Sequence, residues 1–443
     1  MMSASAQYSI RGNDAASVAR SIERGVISGA LRPGDSVPSV RSLARELGLS
    51  PTTVAAAYRE LRRRGVLVSR DRSGTFVGHR PPLGHRLAPE VPPGTVDLAS
   101  GNPDPALLPD LGPPLARVGP VHRLYGEAPA HPELLAAARE AFEGEGVAAE
   151  HLAVVGGGLD GIERVLEAHL HVGDRIAVED PGYVGALDLC RAMGLQLVPV
   201  PVDDEGLTVE GLEAALEDRW VRALLTVPRA QNPTGASLSS ARAAALRTVL
   251  ADHVDLLVVE VEPLGVVAGT PPETLAPGRQ RWARVRSLGK ALGPDLRVAL
   301  LAGDEDTLLQ VTGRQRLGTG WVSHLLQRLA ADVWRTALDD GTLARAAEAY
   351  AARRRALLDA LAAHDIDAHG LSGLNVWIPV AEEVPVVQGL VAAGWSVQAG
   401  EPFRIQSPPA VRITVAGLPT ADADRLAEDL AAVLEHRLGT RRG

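Results

Sequence analysis

The sequence is almost without lysine. Of its 45 basic residues 44 are arginine, and the single ammonium is Lys290, in "RSLGKALGPDLR". Surface charge, helix pairing and phosphate binding are all served by arginine, but a guanidinium stays protonated and cannot act as an amine nucleophile. A Schiff base to an aldehyde needs an amine, so Lys290 is either a compositional remnant or a residue with a chemical task. Cysteine is as scarce: Cys190 is alone, which excludes an internal disulfide and makes a reducing cytoplasm the expected setting. No segment approaches the roughly 20 uninterrupted apolar residues that span a bilayer. The N-terminal "MMSASAQYSIRGNDAAS" lacks the apolar core of a secretory signal. Neither a membrane nor a metal is expected as a partner.

What is present is a chain of 443 residues, 46% hydrophobic and 22% charged, a globular composition with length for two or three domains. Its charge is unevenly placed. Residues 1–80 hold 13 arginines against six acids, +7, which leaves −16 for the remainder of a chain whose total is −9. A small basic head on an acidic body points to double-stranded DNA as the partner of the head, since phosphates attract the one and repel the other.

The head reads as three helices and a hairpin. "DAASVARSIERGVISGAL" (14–31) spaces Val18, Ile22, Val26 and Leu31 at helical intervals before "RPGD" breaks the pattern. "SVRSLAREL" (39–47) forms a second helix, Gly48 ends it, Ser50 caps the next and Pro51 opens it. The third helix, 51–64, buries Val54, Tyr58 and Leu61. "GVLVSRDRSGTFV" then alternates around an Asp-Arg-Ser-Gly turn, the pattern of a β-hairpin wing. Helix-turn-helix plus wing in a basic segment, carried by "PSVRSLARELGLSPTTVAAAYREL" and "GVLVSRDRSGTFV", closely resembles the winged helix of GntR-type transcription regulators. The resemblance implies that the third helix enters the major groove. It assigns DNA contacts to Arg41, Ser50, Thr52, Thr53 and Arg59, with Ser73 and Gly74 at the wing tip. Pro51 departs from the arginine common in that family. The expected boundaries are 12–78 for the winged helix and 79–95 for a Pro/Gly-rich linker reaching roughly 60 Å when extended.

From residue 96 to 440, helical stretches alternate with the apolar runs "RIAVED", "LQLVPV", "ALLTVP", "LLVVEV" and "VALLAG". That alternation indicates an α/β fold around a mainly parallel sheet, with ligands at the carboxyl ends of its strands. "VVGGGLDGIERVL" leads a strand into a helix whose first amides, at Gly158 and Leu159, could cradle a phosphate. "VEDPGYVG" places Tyr183 just past a strand end, and "VPRAQNPTGAS" places Asn232 in a turn.

In order, "YGEAPAHPELL", "GGGLDG", "EDPGY", "QNPTG", "SLGKALGPDLR" and "VRIT" resemble the aminotransferases of fold type I. Joined to the winged helix, the whole resembles the MocR subfamily of GntR regulators, and "PRAQNPTG", "KALGPDLR" and "WVSHLLQ" look like its PtsJ-type branch, associated with vitamin B6 metabolism. The resemblance implies a pyridoxal 5′-phosphate cofactor held as a Schiff base by Lys290. Ser287, Arg297 and the amides of Gly158 and Leu159 would bind its phosphate, Tyr125 would reach that phosphate across a homodimer interface, Tyr183 would stack on the ring and Asn232 would bond the ring oxygen. Arg412 would hold the carboxylate of a substrate or small-molecule effector. The sequence departs from the family at Val261, aligned with the aspartate under the pyridine nitrogen, at Pro263 in place of a tyrosine, and at Gly289 in place of a hydroxyl residue. Strand alternation turns Glu260 and Glu262 away from the face of Val261, although a one-residue bulge would bring either back. The expectation is a pyridoxal-phosphate-responsive transcription regulator that binds the cofactor more readily than it turns over, with a working aminotransferase as the alternative.

Overall fold

The computed structural model describes residues 8–27, 30–32, 34–63, 66–70, 74–77, 91–119 and 122–440. The chain forms two compact units, one lying chiefly before Arg86 and one chiefly after it. The first contains α1 (Ala15–Ile27), β1 (Ser36–Val37), α2 (Val40–Leu47), α3 (Pro51–Arg63), β2 (Leu67–Arg70) and β3 (Gly74–Val77). Helix α1 stops at Ile27 rather than at Leu31, whose N–H turns back to the Gly25 carbonyl at 2.8 Å. The Ser39 hydroxyl caps α2 by accepting from Ser42 N–H at 3.2 Å, and Gly48 ends it in the left-handed conformation, φ 66°. Such a cap lets the chain reverse in three residues and start α3. Val18, Ile22, Leu43, Val54, Tyr58 and Leu61 are fully buried in one core, and the Tyr58 phenol donates to the Pro38 carbonyl at 2.7 Å. The hairpin β2–β3 forms as its alternation predicts. A third strand, β1, adds to it antiparallel through β3; two residues between turns are too few to show alternation in the sequence.

The second unit opens on β4 (Val96–Asp97) and continues through α4 (Gly112–Val118), α5 (Pro132–Gly144), β5 (Leu152–Val155), α6 (Gly158–His169), β6 (Arg175–Asp180) and α7 (Val184–Ala192). Next come β7 (Gln196–Asp203), β8 (Gly206–Leu207), α8 (Val209–Leu216), β9 (Val221–Thr226), α9 (Ser240–Ala251), β10 (Leu257–Glu262), β11 (Trp282–Ser287), α10 (Gly289–Leu292) and β12 (Ala299–Gly303). Three long helices, α11 (Glu305–Leu317), α12 (His324–Asp339) and α13 (Thr342–Ala362), lead to β13 (Asn375–Pro379), α14 (Glu383–Ala392), β14 (Trp395–Ser396), β15 (Gln398–Ala399), β16 (Ala410–Thr414) and α15 (Ala423–Thr440). No helix among the described residues is long and apolar enough to cross a membrane.

The main sheet has the order β5-β12-β11-β10-β9-β6-β7-β8. Its centre, β11, β10, β9 and β6, is parallel, as the strand and helix alternation predicts. Strand β12 runs antiparallel to both its neighbours, β11 and β5. Each of the five quoted apolar runs contributes one of these strands. They read as near-continuous apolar stretches because both faces are covered, by the core beneath α8 and α9 on one side and that around α5 and α12 on the other. A smaller antiparallel sheet, β13-β16-β15, carries Arg412 opposite Trp377 and Gln398. The parallel strands all end toward one edge, where the loops after β6, β9 and β11 bring in Tyr183, Asn232 and Lys290.

Candidate functional site

Lys290 lies on the single turn of α10, three residues past the end of β11. Its amine donates to the Gly101 carbonyl. Burial, with the Arg412 charge adding to it, drives the Lys290 pKa down to about 8. Arg412 is itself buried on β16, 5% exposed. Its guanidinium donates to Asn232 Oδ1 at 3.1 Å and to the Ala99 carbonyl, and stacks 4.9 Å over the Phe403 ring. Burial lowers its pKa to about 10 against the opposing pull of Tyr183 and Asp97. Its Nε is buried with no hydrogen-bond partner among the described residues. Tyr183 precedes α7, and burial raises its phenol while Arg412 and Arg297 hold it back. Gly185 leaves room for that ring: a Cβ there would lie 2.7 Å from the Tyr183 hydroxyl.

The glycine run makes a second cluster. Gly157 takes φ 121° at the N-terminus of α6, where no side chain caps the helix. A Cβ on Gly157 would lie 2.8 Å from Arg297 Nη2, and one on Gly158 3.5 Å from the Ser287 Cβ. Arg297 is in the left-handed region, φ 47°, a conformation that turns the chain from α10 into β12. Uncapped amides, an arginine and a serine hydroxyl thus meet around one small space. That combination suits an anion. The Ser287 hydroxyl is already bonded to Gly289 N–H at 3.3 Å.

Glu260 and Glu262 do not reach the face of Val261. Strand β10 pairs with β9 and β11 in unbroken register, so the bulge that would have turned them is not formed. Glu260 accepts from Leu275 N–H, Thr274 Oγ1 and Arg284 Nη1. Glu262 is enclosed by Arg229, Arg284 and Arg286, with Glu145 completing the cluster. Burial alone would raise the Glu262 carboxyl, but the three guanidinium groups outweigh it and hold it well below the usual carboxylate range. Val261, 8% exposed, is left as the only one of the three on its face. A neighbouring clamp joins two loops: the buried Glu179 accepts from Thr226 Oγ1, Val227 N–H and Gln231 Nε2, and Gln231 also donates to the Pro181 carbonyl. Burial outweighs those bonds and pushes Glu179 up to about 7.

The structure therefore brings together Lys290, Arg412, Asn232 and Tyr183, and separately Gly158, Ser287 and Arg297. Leu159, 37% exposed, contributes its amide at the same helix start. Tyr125 joins neither group: it is 95% exposed, its ring edge-on to Trp321 at 5.7 Å. In the head, Arg41, Thr52, Arg59 and Gly74 are exposed. Ser50 caps α3, its hydroxyl accepting from Thr53 N–H at 3.1 Å and lying 2.8 Å from the Thr53 hydroxyl. Those two hydroxyls are engaged with each other, while Thr52, Ala55, Ala56 and Arg59 share one face of α3 at helical spacing. Ser73 lies outside the described residues, as does the 79–90 part of the expected linker. The Ala99 and Gly101 carbonyls at the site were not foreseeable, since "LASGNPDP" reads as an ordinary turn and a carbonyl has no residue signature.

Comparison with known proteins agrees with this geometry. Residues 93–430 match the family model "Aminotransferase class I and II", and residues 14–77 match "Bacterial regulatory proteins, gntR family". The chain is 39% identical over 431 residues, 96% of its length and 99% of the relative's, to the vitamin B6 salvage pathway transcriptional repressor PtsJ of Salmonella typhimurium. It is 33% identical, over 54% of each chain, to the pyridoxine biosynthesis transcriptional regulator PdxR of Corynebacterium glutamicum. Among solved structures, LysN, an alpha-aminoadipate aminotransferase of Thermus thermophilus, superposes with a TM-score of 0.70 at 22% identity, covering 79% of this chain and 94% of that one.

Proposed function

The chain belongs to the gntR-family regulators that carry a class I and II aminotransferase domain, DNA-binding transcription regulators, and we propose that this one senses pyridoxal 5′-phosphate or an amine that reacts with it. Two relatives are named as regulators of vitamin B6 salvage and pyridoxine biosynthesis, and we carry that ligand class and the control of such genes to this chain. The observation that bears most weight is Lys290, the one lysine of the sequence, buried with its amine pKa at about 8 beside Arg412. We assign residues 12–78 to DNA binding, 79–95 to a linker and 96–440 to cofactor binding and homodimerisation, in a cytoplasmic protein.

The residues present fit the cofactor. A phosphate is suited by the uncapped start of α6, by Ser287 and by Arg297, where a side chain on Gly157 would fill the space. The orphaned Nε of Arg412 awaits an acceptor, as a carboxylate would supply. When bound, pyridoxal phosphate supplies an aldehyde for the lysine and an electron-withdrawing ring. Burial keeps a usable fraction of the Lys290 amine neutral, and Tyr183 covers the pocket wall beside Arg412. Asn232 both orients Arg412 and offers its amide to a ring oxygen. We assign Tyr125, which is exposed, to the phosphate held by a second copy of the chain. Val261 presents no charge to a ring nitrogen, so the protonated ring that carbanion chemistry uses gains no partner here. This combination retains capture and weakens turnover.

The deciding experiment is a gel shift with the DNA upstream of the protein's own gene, at low salt, with and without pyridoxal phosphate. An affinity that changes on adding the cofactor is expected. Absence of any DNA binding in either condition rejects the regulator. Steady multiple turnovers with an amino acid and a 2-oxo acid would favour a working aminotransferase, and Val261→Asp should then raise the rate.

A further inference from the structure

Backbone carbonyls occupy both cations of the site. The Lys290 amine donates to the Gly101 oxygen, and Arg412 Nη2 donates to the Ala99 oxygen. The segment that supplies them is fixed firmly at its two ends. Before it, Leu98 N–H donates to the Ser396 carbonyl at 2.9 Å and the Leu98 carbonyl accepts from Thr414 N–H at 2.8 Å. After it, Asp104 N–H donates to the Tyr350 hydroxyl at 2.9 Å, and the Asp104 carboxylate pairs with Arg353 at 2.8 Å. Between these anchors the turn is shaped by Asp97, whose Oδ1 accepts from Ala99 and Ser100 N–H at 3.0 and 2.9 Å, and by the two bonds to Lys290 and Arg412. Gly101 takes φ 70°, and a Cβ on it would lie 3.4 Å from Arg412 Nη2.

A carbonyl brings no charge to a buried cation, whereas a carboxylate brings a full opposite charge and can take a guanidinium through two parallel bonds. A ligand carboxylate on Arg412 therefore competes well with the Ala99 oxygen. Capture at Lys290 acts on the other bond. When the neutral amine condenses with an aldehyde, its nitrogen forms a double bond to the aldehyde carbon. The aldehyde oxygen departs as water with the two hydrogens the nitrogen held. The unprotonated nitrogen then has no N–H for Gly101.

We propose that residues 99–102 are a strap that occupies the ligand site from within, and that ligands engaging Lys290 and Arg412 displace it. This rests on Lys290 being the capturing amine.

Hydrogen exchange of the full-length chain, read by mass spectrometry on peptides spanning 96–104, tests it. Pyridoxal phosphate is one probe; its reduced adduct with leucine, which carries both phosphate and carboxylate, is the other. In parallel, borohydride trapping measures capture at Lys290. Either probe should speed exchange of the 99–102 amides at least about fivefold, the effect of losing roughly one hydrogen bond. Asp97→Ala should show fast exchange without ligand, and Asp97→Asn, whose amide oxygen still accepts, should restore the wild-type pattern. Unchanged exchange in unreduced protein, at a pyridoxal phosphate concentration where a parallel borohydride-treated sample shows Lys290 fully captured, overturns the strap but leaves the sensor reading intact. Failure of trapping itself removes the sensor reading and the strap with it.

Discussion

At the scale of single residues, the proposed capture chemistry falls on the one position where arginine could not serve. A lysine lowered from 10.5 to about 8 keeps about a tenth of its amine neutral at pH 7, about 300-fold more than an unperturbed lysine would. The native state prefers the neutral amine, so this group lends stability above the unfolded pKa and loses it as pH falls through about 8. The same titration sets the capture chemistry, because only the neutral amine attacks. Initial rates of pyridoxal phosphate capture, followed by visible absorbance, should rise about tenfold per pH unit below 8 and level above it. Lys290→Arg should capture nothing at any pH. A rate that still rises tenfold per unit up to pH 9 would show that the attacking amine has the ordinary lysine pKa, and a flat profile from pH 6 to 9 would show that deprotonation of this amine does not limit capture.

At the scale of elements, loops at strand ends are tied together by buried polar clusters, and one of these titrates. Glu179 links the loop of Tyr183 to that of Asn232 through Gln231. Its pKa is raised from 4.5 to about 7, so the native state favours the protonated acid. Its contribution is fully present below about 4.5 and is lost as pH rises through about 7, an upper bound of about 3 kcal/mol at 1.36 kcal/mol per unit. Glu179→Gln cannot ionise. Urea midpoints of the two proteins should therefore diverge in favour of the variant between pH 5 and pH 8, with other titrating groups cancelling from the difference. Parallel pH profiles would mean that Glu179 ionises as freely folded as unfolded. The same scale explains what the sequence could reveal. Periodicity placed α2 and α3, and Gly48 and Ser50 marked the boundary between them, because such signals act locally. Apolar runs marked β6, β7, β9, β10 and β12, because burial on both faces favours them, but not β11, whose Arg284 and Arg286 are buried by pairing with Glu260 and Glu262. Strand β1, two residues long, and the antiparallel turn of β12 depend on distant partners and left no local pattern. Lys290 stood out as the one amine among arginines, while Asn232, Arg297 and Arg412 were singled out only through the resemblance to the aminotransferases, since each alone reads as an ordinary turn or ion-pair residue. The Ala99 and Gly101 oxygens were not, since any residue supplies a carbonyl. The fate of Glu260 and Glu262 hung on a register that only Arg229, Arg284 and Arg286, brought from other elements, could fix.

At the scale of the whole molecule, charge and chemistry are divided between the two ends of the sequence. The first 80 residues carry +7 and the remainder −16, so phosphate attraction belongs to the head, and the body adds only repulsion. A ligand can regulate such a protein only by binding two of its states with different affinity, and a tenfold change in DNA affinity asks for about 1.4 kcal/mol of that difference. The division predicts that the two functions separate by mutation. Arg41→Ala removes an exposed positive charge from the start of α2, so DNA affinity should fall for every sequence and the slope of log K against log salt should shrink by about 1. Borohydride trapping at Lys290 should be unaffected in that variant. Lys290→Ala should do the reverse: DNA affinity without cofactor stays at the wild-type value, while the response to added pyridoxal phosphate disappears. Fluorescence anisotropy of a labelled operator fragment, measured across a salt series with and without the cofactor, reads both variants in one experiment. If Lys290→Ala retained the full response, the signal would arise elsewhere than at the buried amine; if Arg41→Ala left the salt slope unchanged, α2 would not touch the phosphates, and DNA contact would rest on α3 and the wing.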